Sequence, residues 1–275
     1  MKPAEFRYEK PLSLAAAISL LAQEGLDVAA LAGGQSLMPM MNFRVARPDV
    51  LVDLGGIAEL SGIEATADTV RIGAMTRYSE AMSHPDLMRR LPLVTMALPH
   101  VAHSAIRNRG TFGGSLALAD PAAEMPAVMR VLGARIHAAG PEGARAITAD
   151  DFFRGVHATP LEPAEFITAI EVPTGVEGDR FGFHEVARRH GDYAMAGVAM
   201  ALRGDEPSIA FFAVSDRPVR ASVAEAVLAR DPAAIDAAVE ALAEMEFAGD
   251  LNAGESMKRH LAGVVLRRAW ADIST

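Results

Sequence analysis

The sequence predicts an α+β protein, on three observations. Short buried strands alternate with helices from residue 14 to residue 172. Strand candidates then follow one another at 181–188, 197–203 and 209–214, and alanine-rich helices close the chain at about 221–229, 232–246 and 255–273. Strands followed by helices separate into layers instead of winding a parallel sheet on both faces. Between the two patterns, Thr174-Gly175-Val176-Glu177-Gly178-Asp179 reads as a linker after Pro173.

Each element has a local reason. Ser13 is placed to cap a helix over 14–24, and Gly25 to stop it. Residues 28–32 form a short buried strand that ends abruptly in Gly33-Gly34-Gln35-Ser36. The Met-rich segment 37–45 follows as a short helix, with Met38, Met40 and Met41 read as adaptable packing. Residues 50–54 are a second buried strand, closed by Gly55-Gly56. From Ile63 the strands shorten around a polar turn at Ala67-Asp68, with a return strand through 70–72. Thr76 is expected to cap a helix to about Ser83. A longer helical region spans 86–105 with a break near Pro99, 107–114 is a loop, 124–132 is apolar at helical spacing, and 134–138 and 167–172 are strands.

Composition bounds the function. The 275 residues are 51% hydrophobic and 22% charged, which is the balance of a globular chain of one large or two modest domains. The absence of cysteine excludes a disulfide scaffold, a thiolate zinc site, a cysteine-ligated iron–sulfur cluster and a cysteine nucleophile. It leaves redox chemistry on an organic cofactor open. A net charge of −9 without a basic block argues against nucleic acid as a partner. The opening residues lack the pattern of a secretory signal. The most apolar stretches, 12–21 and 94–106, fall short of the roughly 20 unbroken residues of a transmembrane segment. A cytoplasmic protein is expected.

The most informative feature is a pair of glycine doublets, Ala32-Gly33-Gly34-Gln35-Ser36 and Thr111-Phe112-Gly113-Gly114-Ser115. Glycine pairs allow positive φ and close backbone approach, consecutive N–H groups make an anion-binding concavity, and hydroxyls add donors. One doublet alone is ordinarily a tight turn. Two, each beside a buried apolar element, point to a ligand bearing phosphate, clamped from opposite sides. Neither matches the dinucleotide Gly-x-Gly-x-x-Gly pattern or a P-loop.

Beyond that point the residues carry a family resemblance. The first doublet runs on through Leu37 to Pro48-Asp49-Val50-Leu51-Val52-Asp53. The second is preceded by Ile106-Arg107-Asn108-Arg109-Gly110. With Asp120-Pro121-Ala122-Ala123-Glu124-Met125-Pro126 and Arg188-Arg189-His190-Gly191-Asp192-Tyr193-Ala194, the chain resembles, over essentially its whole length, the FAD-binding medium subunits of the xanthine dehydrogenase/carbon monoxide dehydrogenase (molybdenum hydroxylase) family. The resemblance implies a two-subdomain FAD-binding domain of the vanillyl-alcohol-oxidase type at 1–176, with subdomains at about 1–54 and 55–176. A small α/β C-terminal domain at 177–275 would then carry a three-stranded antiparallel sheet and helices.

It also implies a site. Ala32, Gly33, Gly34, Gln35 and Ser36, with Thr111, Phe112, Gly113, Gly114 and Ser115, would hold the FAD pyrophosphate and its neighbouring sugar groups. Ala30, Leu31 and Leu37 would flank the first loop, Glu124 would accept hydrogen bonds from ribose hydroxyls, and Ile167 and Val101 would lie beside the cofactor. Ser115 stands where Asn is common. No Lys occurs around Phe183-His184-Glu185-Val186, where many relatives have one, and His184 substitutes for it only when protonated. Tyr193 either shapes access to the flavin ring or is a half-buried sheet residue. Arg107 and Arg109 reach a diphosphate, hold a partner subunit, or are solvated surface charges. His100 and His103 lack the further ligands a metal needs, and Asp150-Asp151 reads as a turn cap.

The activity implied is electron transfer within a heterotrimer. A small [2Fe–2S] subunit would supply electrons, a large molybdopterin subunit would oxidise substrate, and FAD in this chain would pass electrons to an acceptor such as NAD, oxygen or a quinone. Two other functions fit the same residues: a cofactor-free structural or regulatory subunit, and a stand-alone FAD-dependent oxidase.

Overall fold

A computed structural model describes residues 2–274. The chain opens with β1 (Arg7–Glu9), α1 (Leu14–Leu21), β2 (Val28–Leu31), α2 (Leu37–Asn42) and β3 (Val50–Asp53). The strands form a parallel sheet in the order β1-β3-β2. Val50, Leu51 and Val52 are all buried, as the centre of a parallel sheet requires. Ser13 caps α1 by accepting the Ala16 N–H at 3.3 Å. The helix ends at Leu21, short of the expected Glu24, and Gly25 serves the following turn at φ +75°. β1 has no signature in the sequence: Arg7, Tyr8 and Glu9 show no apolar alternation and become a strand by pairing with β3.

The middle of the chain contributes β4 (Ile63–Ala65), β5 (Thr69–Gly73), α3 (Tyr78–Met82), α4 (Pro85–Arg90), α5 (Pro92–Ala97), α6 (Ser104–Arg107), α7 (Phe112–Leu118) and α8 (Glu124–Val131). β6 (Arg135–Gly140), β7 (Gly143–Thr148), α9 (Ala149–Phe152) and β8 (Phe166–Pro173) complete it. Its antiparallel sheet runs β4-β5-β8-β6-β7.

Several expectations are corrected in this region. Thr76 does not cap α3; its buried hydroxyl bonds both the N–H and the carbonyl of Gly62, at 3.0 and 2.9 Å. The long helical region over 86–105 is broken at Leu91 as well as near Pro99, because Pro92 opens α5 in the first-turn position that prolines favour. The expected loop over 107–114 contains the end of α6 and the start of α7, whose cap is Thr111.

The remainder consists of β9 (Arg180–Ala187), β10 (Ala194–Arg203), β11 (Glu206–Phe212), β12 (Val219–Arg220), α10 (Ser222–Arg230), α11 (Ile235–Ala241) and α12 (Glu255–Ile273). The antiparallel sheet has four strands, β12-β11-β10-β9, where three were expected. β12 is two residues paired with Ala210 and Phe211, too short to leave a pattern. The expected helix over 232–246 is likewise trimmed to α11 and a 3-10 turn, Leu242–Glu244.

This sheet is buried on both faces. In β10, Ala199 and Ala201 join the core beneath α5 and α8, while Ala196, Val198, Met200 and Leu202 join the core beneath α10 and α12. Period-two alternation thus divides one strand between two cores. No helix among the described residues is long and apolar enough to cross a membrane.

Candidate functional site

A cavity of about 640 Å³ is walled by the loop after β2, the start of α7, the start of α8, β8 and the turn before β10. The first doublet forms the connection from β2 to α2. Gly34 takes φ +72°, and the Gln35 side-chain amide donates to the Gly33 carbonyl at 2.9 Å, closing the loop on itself. Among the described residues, the backbone N–H groups of Gly33, Gly34, Gln35 and Ser36 donate to no protein acceptor. Four successive free amides on a loop that lines a cavity are suited to an oxyanion.

The second doublet is a different device. Gly113 and Gly114 lie in the first turn of α7, and their amides are already used. Gly113 N–H donates to the Ala74 carbonyl at 2.8 Å, Gly114 N–H to Thr111 Oγ1 at 3.2 Å, and Ser115 N–H to the Thr111 carbonyl at 3.1 Å. Glycine is required at these positions for close packing. A Cβ on Gly113 would sit 2.6 Å from Ala74 Cβ, and one on Gly114 would sit 2.9 Å from Thr111 Oγ1 and 3.1 Å from Ala32 Cβ.

The two glycine segments therefore touch, forming one continuous wall and not two jaws of a clamp. Gly33 faces the Arg109 carbonyl so closely that a Cβ there would be 2.2 Å from its oxygen. The free amides belong to the first loop. The second supplies packing and the Ser115 side chain.

Of the residues picked out in the sequence, Ala30, Ala32, Gly33, Gly34, Gln35, Ser36, Leu37, Val101, Thr111, Gly113, Gly114, Ser115, Glu124, Ile167 and Tyr193 line the cavity. Three do not. Leu31 faces a neighbouring cavity of about 620 Å³ across the first loop, which Arg109 also lines. Phe112 is fully buried in the core. His184 sits on β9 with Nε2 2.8 Å from Asp272 Oδ2 of α12, away from the cavity, so it does not stand in for a lysine there. Its neighbour Phe183 points to the opposite core, and the alternation of the strand carries His184 to the other face.

Polar groups gather at one part of the wall. Glu124 is 7% exposed. Burial pushes its carboxyl up to about 8; its own backbone N–H works against this, and the Glu185 and Asp120 carboxylates add to it. A carboxyl held this high keeps its proton at neutral pH and can donate as well as accept, in addition to the accepting role that the resemblance implies. Tyr193 stands at the cavity edge beside Gly191 and Asp192, with much of its side chain open to solvent and its phenol pushed up by the cavity-facing surroundings and the nearby Asp120.

Arg107 does not reach into the cavity. Its Nη1 donates to the carbonyls of Val101 and Ala102, both at 2.8 Å, and of Pro99 at 3.4 Å, holding the strap on which Val101 lines the site. Ala102 in that strap takes φ +44°, a strained conformation for alanine. His100 Nδ1 lies 3.1 Å from Glu185 Oε1. Asp150 pairs with Arg130, and Thr148 caps Asp151.

Sequence reasoning missed Tyr78, Asp120, Met40, Met75, Leu118 and Leu161 in the cavity wall. Asp120 lies in the 120–126 motif and Met40 in the Met-rich segment read as packing; the other four carry no signal in the sequence.

The set of groups fits a ligand that has a phosphate chain, hydroxyls and aromatic rings. Free amides meet the first, Ser115 and Glu124 the second, and an apolar wall of Ala30, Leu37, Val101, Leu118 and Ile167 the third.

Comparison with known proteins gives the same direction. Residues 4–175 match the family model of the FAD binding domain in molybdopterin dehydrogenase, and residues 181–273 match that of the CO dehydrogenase flavoprotein C-terminal domain. The carbon monoxide dehydrogenase medium chain of Afipia carboxidovorans is 39% identical, over 98% of this chain and 96% of its own length. The caffeine dehydrogenase subunit beta of a Pseudomonas species is 35% identical, over 98% and 95%. A solved chain of carbon monoxide dehydrogenase from Hydrogenophaga pseudoflava superposes with a TM-score of 0.95 at 38% identity, covering 100% of this chain and 99% of that one. A chain of quinoline 2-oxidoreductase from Pseudomonas putida 86 gives 0.93 at 36%, covering 100% and 99%. This chain belongs to the FAD-binding medium subunits of the carbon monoxide dehydrogenase/xanthine dehydrogenase family of molybdenum hydroxylases.

Proposed function

We propose that this chain holds FAD in the cavity and serves as the electron-transfer subunit of a heterotrimeric molybdenum hydroxylase. The observation that carries the reading is the row of free amides on Gly33, Gly34, Gln35 and Ser36, set on the wall of a cavity of about 640 Å³. A loop with four unpartnered amides has a use for a pyrophosphate that an ordinary turn does not. The same observation weighs against a structural subunit without cofactor.

FAD, when bound, supplies the exchange of single electrons with an iron–sulfur centre and of electron pairs with an acceptor such as NAD, oxygen or a quinone. The protein's own part is to bind, orient and shield. The first loop holds the phosphates, Ser115 and protonated Glu124 bond sugar hydroxyls or ring-side oxygens, and Val101 and Ile167 press on the aromatic parts. No side chain in the cavity is needed as acid or base toward an organic substrate. Because the chain has no cysteine, the [2Fe–2S] clusters would sit in a small partner subunit; the family resemblance puts the molybdopterin in a large one. Residues 1–176 would form the FAD-binding domain, and 177–275 the smaller domain behind it.

Purified protein, alone or in the complex it co-purifies with, is expected to show flavin absorption and to release one FAD per chain on denaturation. An intact complex with stoichiometric partners and no FAD would overturn the proposal. Co-purification with a cysteine-rich subunit and a large subunit separates this reading from a stand-alone oxidase.

A further inference from the structure

Tyr78 is buried in the cavity wall, 2% exposed, at the first position of α3. Its backbone N–H donates to the Gly110 carbonyl at 3.1 Å, and its ring meets Phe112 edge-on with centroids 4.9 Å apart. The ring is thus clamped between the start of α3 and the start of α7. Its hydroxyl is buried and has no hydrogen-bond partner. Buried hydroxyls are satisfied as a rule, and an exception needs a reason. Phenylalanine would pack in the same place without the orphaned group.

Ser115 follows Phe112 by three residues on α7, on the helix face that the Tyr78 ring packs against. Burial raises the phenol's pKa, so it keeps its proton and acts as a donor. Ser115 lines the cavity, and its own hydroxyl makes no hydrogen bond within the protein among the described residues. The two hydroxyls thus belong to one wall of the cavity, with no hydrogen bond between them. One is shut away from solvent and the other is on the cavity wall.

We propose that Tyr78 is a positioning residue for the bound nucleotide. Its hydroxyl donates to Ser115 Oγ and thereby aims the Ser115 proton at an acceptor oxygen of the ligand. A serine hydroxyl that receives a hydrogen bond from behind is polarised as a donor in front, and the chain of two bonds strengthens both. The wall at Ser115 therefore presents a donor, to be met by an acceptor oxygen of the ligand, whether of a phosphate, a ring carbonyl or the lone pair of a sugar hydroxyl. This rests on the flavin reading above.

The test is a double-mutant cycle on the full-length chain, or on the complex that contains it, with FAD as the probe. Tyr78→Phe is expected to weaken FAD binding roughly 3- to 10-fold, the worth of one hydrogen bond. Its ligand-free Tm should be unchanged or higher, because the variant removes an unsatisfied group. Ser115→Ala is expected to weaken binding by at least as much, and the double variant by no more than Ser115→Ala alone. A merely structural tyrosine would instead lower the ligand-free Tm and give independent, multiplying effects; either result overturns the proposal. Unchanged FAD affinity in Tyr78→Phe, with wild type binding FAD, overturns this proposal alone. A wild-type protein that takes up no FAD overturns the flavin reading and this one together.

Discussion

Gly33→Ala tests whether the two glycine segments make one wall. Gly33 does not have positive φ, so alanine is conformationally acceptable there. The difficulty is steric. The added Cβ would lie 2.2 Å from the Arg109 oxygen and 2.9 Å from Gly110 Cα, both backbone atoms, against an ordinary contact of 3.4–4 Å. One strand of backbone must retreat from the other by about 1 Å. Overpacking of this kind costs about 1–3 kcal/mol, and the stiffer unfolded chain returns about 0.4–1 kcal/mol. The net loss is about 1–2 kcal/mol, a fall in Tm of a few degrees for a chain of this size.

The effect on flavin should be larger than that on stability, because the displaced loop is the one bearing the free amides. Displacements of about 1 Å are enough to disable a preorganised site, and FAD affinity is expected to fall at least about tenfold. The control is Gly25→Ala. Gly25 has φ +75° with no atom within 4 Å of the added Cβ, so alanine there costs about 1–2 kcal/mol of backbone strain without moving anything near the cavity. Differential scanning fluorimetry and FAD titration of both variants supply the comparison. Matched destabilisation with flavin lost only in Gly33→Ala is the expected result. If Gly33→Ala retains FAD as fully as Gly25→Ala, the reasoning fails.

Three further outcomes are expected. The raised pKa of Glu124 means that the unfolded chain loses this proton near 4.5 and the folded, ligand-free chain only near 8. Its contribution is therefore whole below 4.5 and falls as pH rises toward 8, by at most about 1.4 kcal/mol per pH unit. Denaturation midpoints of Glu124→Gln should lack that slope, and an identical slope in the variant would refute the assignment. Arg107→Ala frees the Val101 and Ala102 carbonyls and should cost about 1–3 kcal/mol, with faster amide exchange at 99–103; unchanged exchange would show that the strap holds itself. His184→Ala should leave FAD content untouched, because the ring pairs with Asp272 outside the cavity, and loss of flavin would reinstate His184 at the site.

Much of this architecture is legible where the chain follows its local preferences. β2 and β3 announce themselves as apolar runs closed by glycine, and α8 as an apolar stripe. β1, β7 and β12 do not, because each is an edge strand made by its neighbour. β7 reads Gly-Ala-Arg-Ala-Ile-Thr and is almost wholly exposed, so no pattern of burial marks it. At the site, the motifs fall on the wall of the cavity but leave its physics undetermined. Tyr78 had no signal at all, since the value of one tyrosine depends on a hydroxyl 37 residues further on, across the start of α7. His184 shows the reverse failure. A position matched by resemblance lies on the wrong side of a strand, and a shift of one residue in β9 exchanges one core for the other.

The two doublets show why identical dipeptides need not do identical work. An amide can serve a ligand only if the fold does not use it first. After β2 the chain turns through Gly34 at positive φ before α2 begins, and four amides are left over. Before α7 the chain enters a helix directly. Thr111 and Ala74 then take the amides of residues 113–115, and what glycine contributes is the absence of a side chain. The second doublet thereby serves the first. Without the close approach of Gly114 to Ala32, and of Arg109 to Gly33, the loop with the free amides would stand off from the wall that carries Ser115 and Glu124. On the proposed reading, the amides that would cradle phosphate and the wall that would meet a sugar thereby become one surface, which a ligand joining phosphate to sugar requires.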